Sequence, residues 1–271
     1  MLHRHGIQDL GHPEIRPYLK LRDDRVHREQ GIFIAEGAKI TERLLASGVR
    51  VRSLLLPEKW LDRFLPLIEQ HPEDIHAFVG PKPDLEKLAG ISMYQGVNSV
   101  GEIPSPPTLT ELLQSSASPR LFIAIDDLTG ADNVGTVARN GLAFGAQAMI
   151  VGDTCCSAWV RKAVRTSMGT IFKLPALETS SLASALDELR QARIQVIAAH
   201  AHTDEHKLSN LDLTRDTCLV LGSEGQGLRE EVLKACDHHA IVPMANDVDS
   251  LNVGSAGAVF LYEVARQRGQ V

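Results

Sequence analysis

No Cys-x-x-Cys pair occurs in this chain. The four cysteines are Cys155, Cys156, Cys218 and Cys236, and their spacing offers neither a zinc site nor a disulfide framework. Adjacent Cys155 and Cys156 lack any motif of a redox pair and read as small apolar residues. No apolar run approaches the ~20 residues that a membrane helix needs. The start, Met1-Leu2-His3-Arg4-His5, is polar and lacks the apolar stretch of a signal peptide. No repeat recurs at solenoid spacing. These absences predict a soluble cytoplasmic protein, with no membrane and no metal. What is present is globular: 44% hydrophobic residues are ample for a core. At ~150 residues per domain, 271 residues suggest one or two domains.

A positive total is also missing. The net charge of −6 argues against a general nucleic-acid coat protein. Local charge differs from the total. Residues 1–55 hold ten Lys or Arg against seven Asp or Glu, and Thr154 to Leu177 holds Arg161, Lys162, Arg165 and Lys173 with no acid. Phosphate contacts need such patches rather than a basic total. A solvated face with distant counter-charges explains the same pattern equally well.

Residues 1–30 read as a helical arm. Apolar runs then predict strands at Ile32–Ala35, Val51–Leu56, Ala77–Val79 and Gly96–Ile103. Helical patterns fall at Ala38–Ala46, Trp60–Ile68 and Pro83–Ala89. Residues 104–119 hold four prolines and four serines, which predicts a linker with a short helix at Leu109–Leu113. The expected organisation is a smaller N-terminal α/β domain over 1–103 and a second domain over 120–271. In the second, short apolar strands at Leu121–Ile125, Ala148–Val151, Gln195–Ala199, Cys218–Leu221 and Ala240–Val242 alternate with helical patterns. That arrangement predicts a parallel sheet covered on both faces.

Three polar segments follow three of these strands. They are Asn133-Val134-Gly135-Thr136-Val137-Ala138-Arg139-Asn140, Leu221-Gly222-Ser223-Glu224-Gly225-Gln226-Gly227-Leu228, and Asn246 through Ser250-Leu251-Asn252-Val253 to Gly257. Ligands of open α/β sheets collect at strand ends, where helix N-termini present free N–H groups. Each segment also reads as plain structure. Asn133 sits where an N-cap belongs, the glycines suit a tight turn, and Ser250 and Asn252 can cap. Each nonetheless has a polar residue beyond what its turn requires: Arg139 on an apolar, small-residue helix, Glu224 among glycines, and Ser250 beside Asn252. The glycine loop lacks the Gly-Lys-Ser/Thr of a phosphate-binding Walker loop, which counts against a phosphate-binding enzyme.

Together the three segments resemble motifs 1, 2 and 3 of the SpoU (TrmH-type) RNA ribose 2′-O-methyltransferases of the SPOUT class, with Ile241-Val242-Pro243-Met244 opening the third. Phe33-Ile34-Ala35-Glu36-Gly37 and Tyr94-Gln95-Gly96 resemble the ends of that family's N-terminal domain, which is similar to ribosomal protein L30e. The resemblance implies a trefoil-knotted C-terminal domain and S-adenosylmethionine as cofactor. Its implied cofactor contacts are Leu221, Gly222, Ser223, Glu224, Gly225, Gly227, Ile241, Pro243, Met244, Ser250, Leu251 and Val253. The catalytic positions it implies are Arg139, Glu224, Ser250, Asn252 and Asn133. It also implies a homodimer through the catalytic domain and an RNA substrate, ribosomal ahead of transfer RNA. Arg22, Arg25, Arg28, Arg161, Lys162 and Arg165 are the expected RNA contacts. An inactive RNA-binding relative is the alternative. Two positions depart from the motifs: Gly254 where many relatives carry Ser, and Tyr94 where His is frequent.

Overall fold

The computed structural model describes residues 1–8, 10–246 and 248–271; Asp9, in the expected arm, and Asp247, in the third segment, lie outside the described residues. The first part of the chain runs β1 (Leu2–Gly6), α1 (Asp24–Glu29), β2 (Ile32–Glu36), α2 (Ala38–Leu45), β3 (Val51–Leu56), α3 (Glu58–Ile68), β4 (Ile75–Val79), α4 (Lys82–Ala89) and β5 (Asn98–Glu102). It continues as α5 (Leu109–Ser115), β6 (Leu121–Ile125), α6 (Ala131–Ala143), β7 (Ala148–Val151), α7 (Arg161–Thr166), β8 (Ala176–Glu178), α8 (Leu182–Gln191) and β9 (Gln195–Ala199). The last elements are β10 (His206–Lys207), β11 (Thr217–Leu221), α9 (Glu230–Lys234), β12 (His238–Ile241) and α10 (Val253–Gln267).

These elements form two compact units, 1–105 with 159–172, and 106–158 with 173–271. The first unit has a five-stranded sheet in the order β1-β4-β3-β5-β2. β1, β3 and β4 run parallel, while β5 is antiparallel to β2 and β3. The expected helical arm is corrected here. Residues 2–6 form an edge strand on β4, and a 3-10 helix at Pro13–Lys20 and α1 follow. An edge strand with a solvated face carries too few apolar residues for its period to show. Residues 159–172 belong to this unit because the Phe33 ring packs 5.0 Å from Trp159 and 5.5 Å from Phe172. A Cβ at Gly101 would run into the Phe33 ring, so only glycine leaves that ring its place.

The second unit holds an all-parallel seven-stranded sheet, β10-β12-β9-β11-β6-β7-β8. Alternate strand residues supply its two faces. Phe122, Ala124, Ile150, Val196 and Val220 pack in one cluster with Leu182, Leu186 and Leu189 of α8 and Val232 of α9. Leu109 and Leu112 of α5 join the same cluster, so the short helix inside the expected linker packs on this core. A Thr108–Glu111 capping box starts α5. On α6, a Cβ at Gly141 would run into the Ile123 side chain, so glycine there sets the helix close on the sheet. Every strand expected in this half is present. β8 and β10, of three and two residues, are too short to show a pattern. Among the described residues no helix is long and apolar enough to cross a membrane.

Candidate functional site

Beyond the C-terminal ends of β9, β11 and β12 lies a cavity of about 170 Å³. Its walls come from Ala199 to His202, the loop Leu221 to Gly227, Ala240 to Val242 with Met244, and Ser250, Leu251, Val253, Ala256 and Phe260. Every residue expected to touch the cofactor lines it except Pro243, which is exposed between two lining neighbours. His200 and His202 were not expected. Their signal was available, since His200 directly follows a buried strand, where ligand sites collect, and His202 lies two residues on. Burial first, and then His239 and His202, hold His200 below the usual histidine pKa, so its neutral form is favoured.

The loop after β11 closes on itself. Ser223 N–H donates to the Gly227 carbonyl and Gly227 N–H to the Ser223 carbonyl, both at 3.0 Å. Two of the three glycines are needed, for different reasons. Gly227 has φ +71°, and a Cβ on Gly222 would meet the Gly227 backbone at 2.5 Å, whereas a Cβ on Gly225 would meet nothing within 4 Å.

The three polar segments converge at this loop. Asn133 Nδ2 donates to Glu224 Oε1 at 2.9 Å. Asn252 Nδ2 donates to the same oxygen at 2.5 Å and to Asn133 Oδ1 at 3.2 Å. Asn252 Oδ1 accepts from Gly254 N–H at 2.9 Å and caps α10. One asparagine thus fixes a helix start and a carboxylate together. The N-cap expected at Asn133 is corrected: Gly130 precedes the helix and Asn133 lies in its first turn, which turns its side chain over to Glu224. Gly145, with φ +83°, ends α6 as expected. Gly254 also has a steric reason. A Cβ there would stand 2.6 Å from Thr136, and its carbonyl accepts from Asn140 at 2.7 Å, so this departure from the motif packs α10 against α6. Ser250 lines the cavity and is exposed.

Below the loop lies a network that sequence reading missed. Asp126, fully buried at the end of β6, accepts from Arg229 N–H at 2.9 Å and from its Nε at 2.8 Å. The same guanidinium donates to both oxygens of Asp153 at 3.0 and 2.8 Å. Bonding to Asp153 and then Asp126 raises the Arg229 pKa. The Arg229 contact in turn holds Asp153 below the usual carboxylate range. This clamp anchors Arg229, two residues past the glycine loop. Arg229→Ala strands a buried carboxylate, which costs about 3–5 kcal/mol; a clear fall in the urea midpoint is the expected result, and an unchanged midpoint would mean that water replaces the guanidinium. An Asp directly after an apolar strand was the available signal. Cys155 donates to the Ile125 carbonyl at 3.2 Å, and burial pushes its thiol up to about 11. That favours an unreactive thiol over a redox one.

Arg139 is exposed on α6 and makes no hydrogen bond or ion pair among the described residues. Six residues of helix place its Cα about 9 Å along the axis from Asn133. It stands outside the asparagine–glutamate cluster. In the first unit, Arg22, Arg25 and Arg28 are exposed. Arg161 differs, because its guanidinium pairs with buried Glu36 and its N–H donates to Asp24. Arg165 lies 3.6 Å from the same Glu36 and is 46% exposed. Gln95, left-handed at φ +60°, accepts from Ala38 N–H at 3.2 Å. It thereby caps α2, which lacks a side-chain cap of its own. Tyr94 beside it is 70% exposed.

Residues 120–262 match the SpoU rRNA Methylase family. The chain belongs to this family. An uncharacterised tRNA/rRNA methyltransferase of Mycolicibacterium vanbaalenii is 32% identical over 242 residues, 88% of this chain and 70% of that protein. The SpoU methyltransferase AviRb of Streptomyces viridochromogenes, solved with its cofactor AdoMet, superposes with a TM-score of 0.79 at 26% identity. That match covers 96% of this chain and all of AviRb. A solved RNA 2′-O ribose methyltransferase gives 0.77 at 26% identity and covers 98% and 99% of the two chains. The chain spans about 60% of the length of several other curated relatives, uncharacterised tRNA/rRNA methyltransferases of mycobacteria.

Proposed function

We propose that this SpoU protein transfers a methyl group from S-adenosylmethionine to a ribose 2′-hydroxyl of RNA, ribosomal RNA ahead of transfer RNA. The carrying observation is that Asn133, Glu224 and Asn252 meet at a cavity at the strand ends of a parallel sheet. AviRb and the solved 2′-O ribose enzyme, similar over nearly the whole chain, support the reading.

The cavity fits the cofactor's chemistry. Leu221, Ile241, Met244, Leu251 and Val253 offer an apolar wall, and the glycine loop offers backbone. Bound there, S-adenosylmethionine supplies an electrophilic sulfonium methyl. The chain's task is to hold a hydroxyl in line with it and to ease loss of the proton. The Arg139 guanidinium offers a planar fork of donors and no acceptor. It therefore serves as a grip on RNA phosphate and a polariser of the hydroxyl, not as a base. Glu224, held through Oε1 by two asparagines, orders the loop and leaves Oε2 without a partner among the described residues. Arg139 stands apart from that cluster, so RNA or a second copy of the chain must bring the two together. We take the assembly to be a homodimer through the second unit. On α10, Val259 is 39% and Tyr262 49% exposed, and they form an apolar strip three residues apart. Tyr262→Glu is expected to shift sedimentation from dimer to monomer, and an unchanged dimer would place the interface elsewhere.

RNA selection is assigned to the first unit. Replacing Arg22, Arg25 and Arg28 together with alanine should weaken RNA binding on every sequence. It should also flatten the slope of log affinity against log salt by about 1 for each phosphate no longer neutralised. A slope equal to that of the unaltered protein would move the RNA surface to Lys162 and Arg165. The reading itself is tested by calorimetry of the purified protein with S-adenosylmethionine. Saturable one-site binding is expected. Absence of binding would leave an inactive RNA-binding relative.

A further inference from the structure

A second constellation lies in the second unit, outside the residues that line the cavity. β10 pairs with β12 in parallel, with His206 opposite Ala240. The two-residue period of a strand puts His238 on the same face as Ala240, so His206 and His238 face one another diagonally. Their rings stand 5.2 Å apart at 84°, edge to face rather than stacked. Glu205, the residue before β10, brings Oε1 to 3.3 Å from His206 Nε2 and 3.9 Å from His238 Nδ1.

We propose that Glu205, His206 and His238 form a site for a borderline divalent transition-metal ion such as Zn²⁺, with His239 as its positioning residue. The ligating atoms of the three lie within 4.8 Å of one another. Ligands of a tetrahedral zinc, bound at ~2.0–2.1 Å, stand about 3.3 Å apart. One edge of the triangle already has that length, and small side-chain rotations close the others. Two imidazoles and a carboxylate suit zinc and its neighbours, and discriminate against the harder Mg²⁺ and Ca²⁺. His239 supplies the orienting contact that such sites carry. Its Nε2 donates to the Leu233 carbonyl at 3.1 Å, and its Nδ1 lies 3.2 Å from the second Glu205 oxygen, Oε2. One carboxylate oxygen thus lies against the His239 ring and the other against the two imidazoles. Side-chain exposures of 35–41% let an ion enter from solvent and leave a fourth position for water. Sequence reading expected no metal because it sought cysteine spacing, and these ligands come from two segments 32 residues apart in a sheet-edge pairing.

The test is titration of the full-length, EDTA-dialysed protein with ZnCl₂ at pH 7.5, followed by calorimetry. One equivalent should bind at this site. Glu205→Gln, His206→Ala and His238→Ala should each weaken it by roughly 100-fold or more, and His239→Ala by about 10–100-fold with the stoichiometry kept. His5, His12 and His76 form another group with ligating atoms within 4.8 Å, so His76→Ala serves as the control and should leave this equivalent in place. Melting curves without metal report whether each variant folds. Cobalt in the unaltered protein gives an independent signature, an intense visible band for a low-coordinate site. Zinc binding unchanged in the three ligand variants, lost only in His76→Ala, or absent from the unaltered protein would overturn the proposal. So would a weak octahedral cobalt spectrum.

Discussion

Arg139→Ala should bind S-adenosylmethionine as the unaltered protein does and lose methyl transfer by about 10²–10³-fold or more, the scale of removing one electrostatic donor from a transition state. The structure makes this comparison clean. Arg139 is exposed and has no hydrogen bond or ion pair among the described residues. Its truncation therefore breaks no hydrogen bond among the described residues, and stability should stay within about 0.5 kcal/mol. A lost rate cannot then be charged to unfolding. Arg139→Lys should recover little, because a point charge lacks the planar fork that matches a phosphate. Single-turnover assays with saturating cofactor separate the rate from binding. Near-normal turnover in Arg139→Ala would make Arg139 an ordinary surface residue.

The second large effect is expected at the glycine loop. Gly222→Val should abolish measurable S-adenosylmethionine binding, a loss of at least ~100-fold or roughly 3 kcal/mol. The reason is local. Any Cβ at Gly222 meets the backbone of Gly227 and Leu228 at 2.5–2.7 Å, and backbone cannot swing aside as a side-chain tip can. The turn closed by Ser223 and Gly227 must then open, and the cavity wall moves with it. Gly225→Ala is the matched control. Its Cβ meets nothing, so affinity should change only a few-fold. Equal behaviour of the two variants in calorimetry would show that the loop adapts and that its close turn is not what shapes the site.

The sequence made some of this plain and hid the rest for identifiable reasons. β6, β7 and β9 were legible to the residue because central parallel strands are apolar on both faces. β1, Leu2-His3-Arg4-His5-Gly6, was not, since an edge strand can be polar and still pair. Glu224 and Asn252 were visible as polar residues beyond the needs of their turns, whereas Asn133 read as a plain N-cap. Their meeting was not visible, because the contacts join residues 91 and 119 positions apart. The commitment of Arg161 to Glu36 was hidden in the same way: a basic run reads alike whether it faces solvent or a buried carboxylate 125 residues earlier. Asp126 and Arg229 showed only as unremarkable charges, although a carboxylate closing an apolar strand has to find a partner when it is buried.

The central claim is ribose 2′-O-methylation of RNA. The most direct measurement is to incubate the purified protein with unmodified ribosomal and transfer RNA and S-adenosylmethionine carrying a labelled methyl group, digest the RNA to nucleosides, and identify the labelled product by mass spectrometry. The account predicts the label on ribose, in a 2′-O-methylnucleoside from ribosomal RNA, and none when Arg139→Ala replaces the unaltered protein. Label on a base, or no transfer to either RNA by a protein that binds the cofactor, would contradict it.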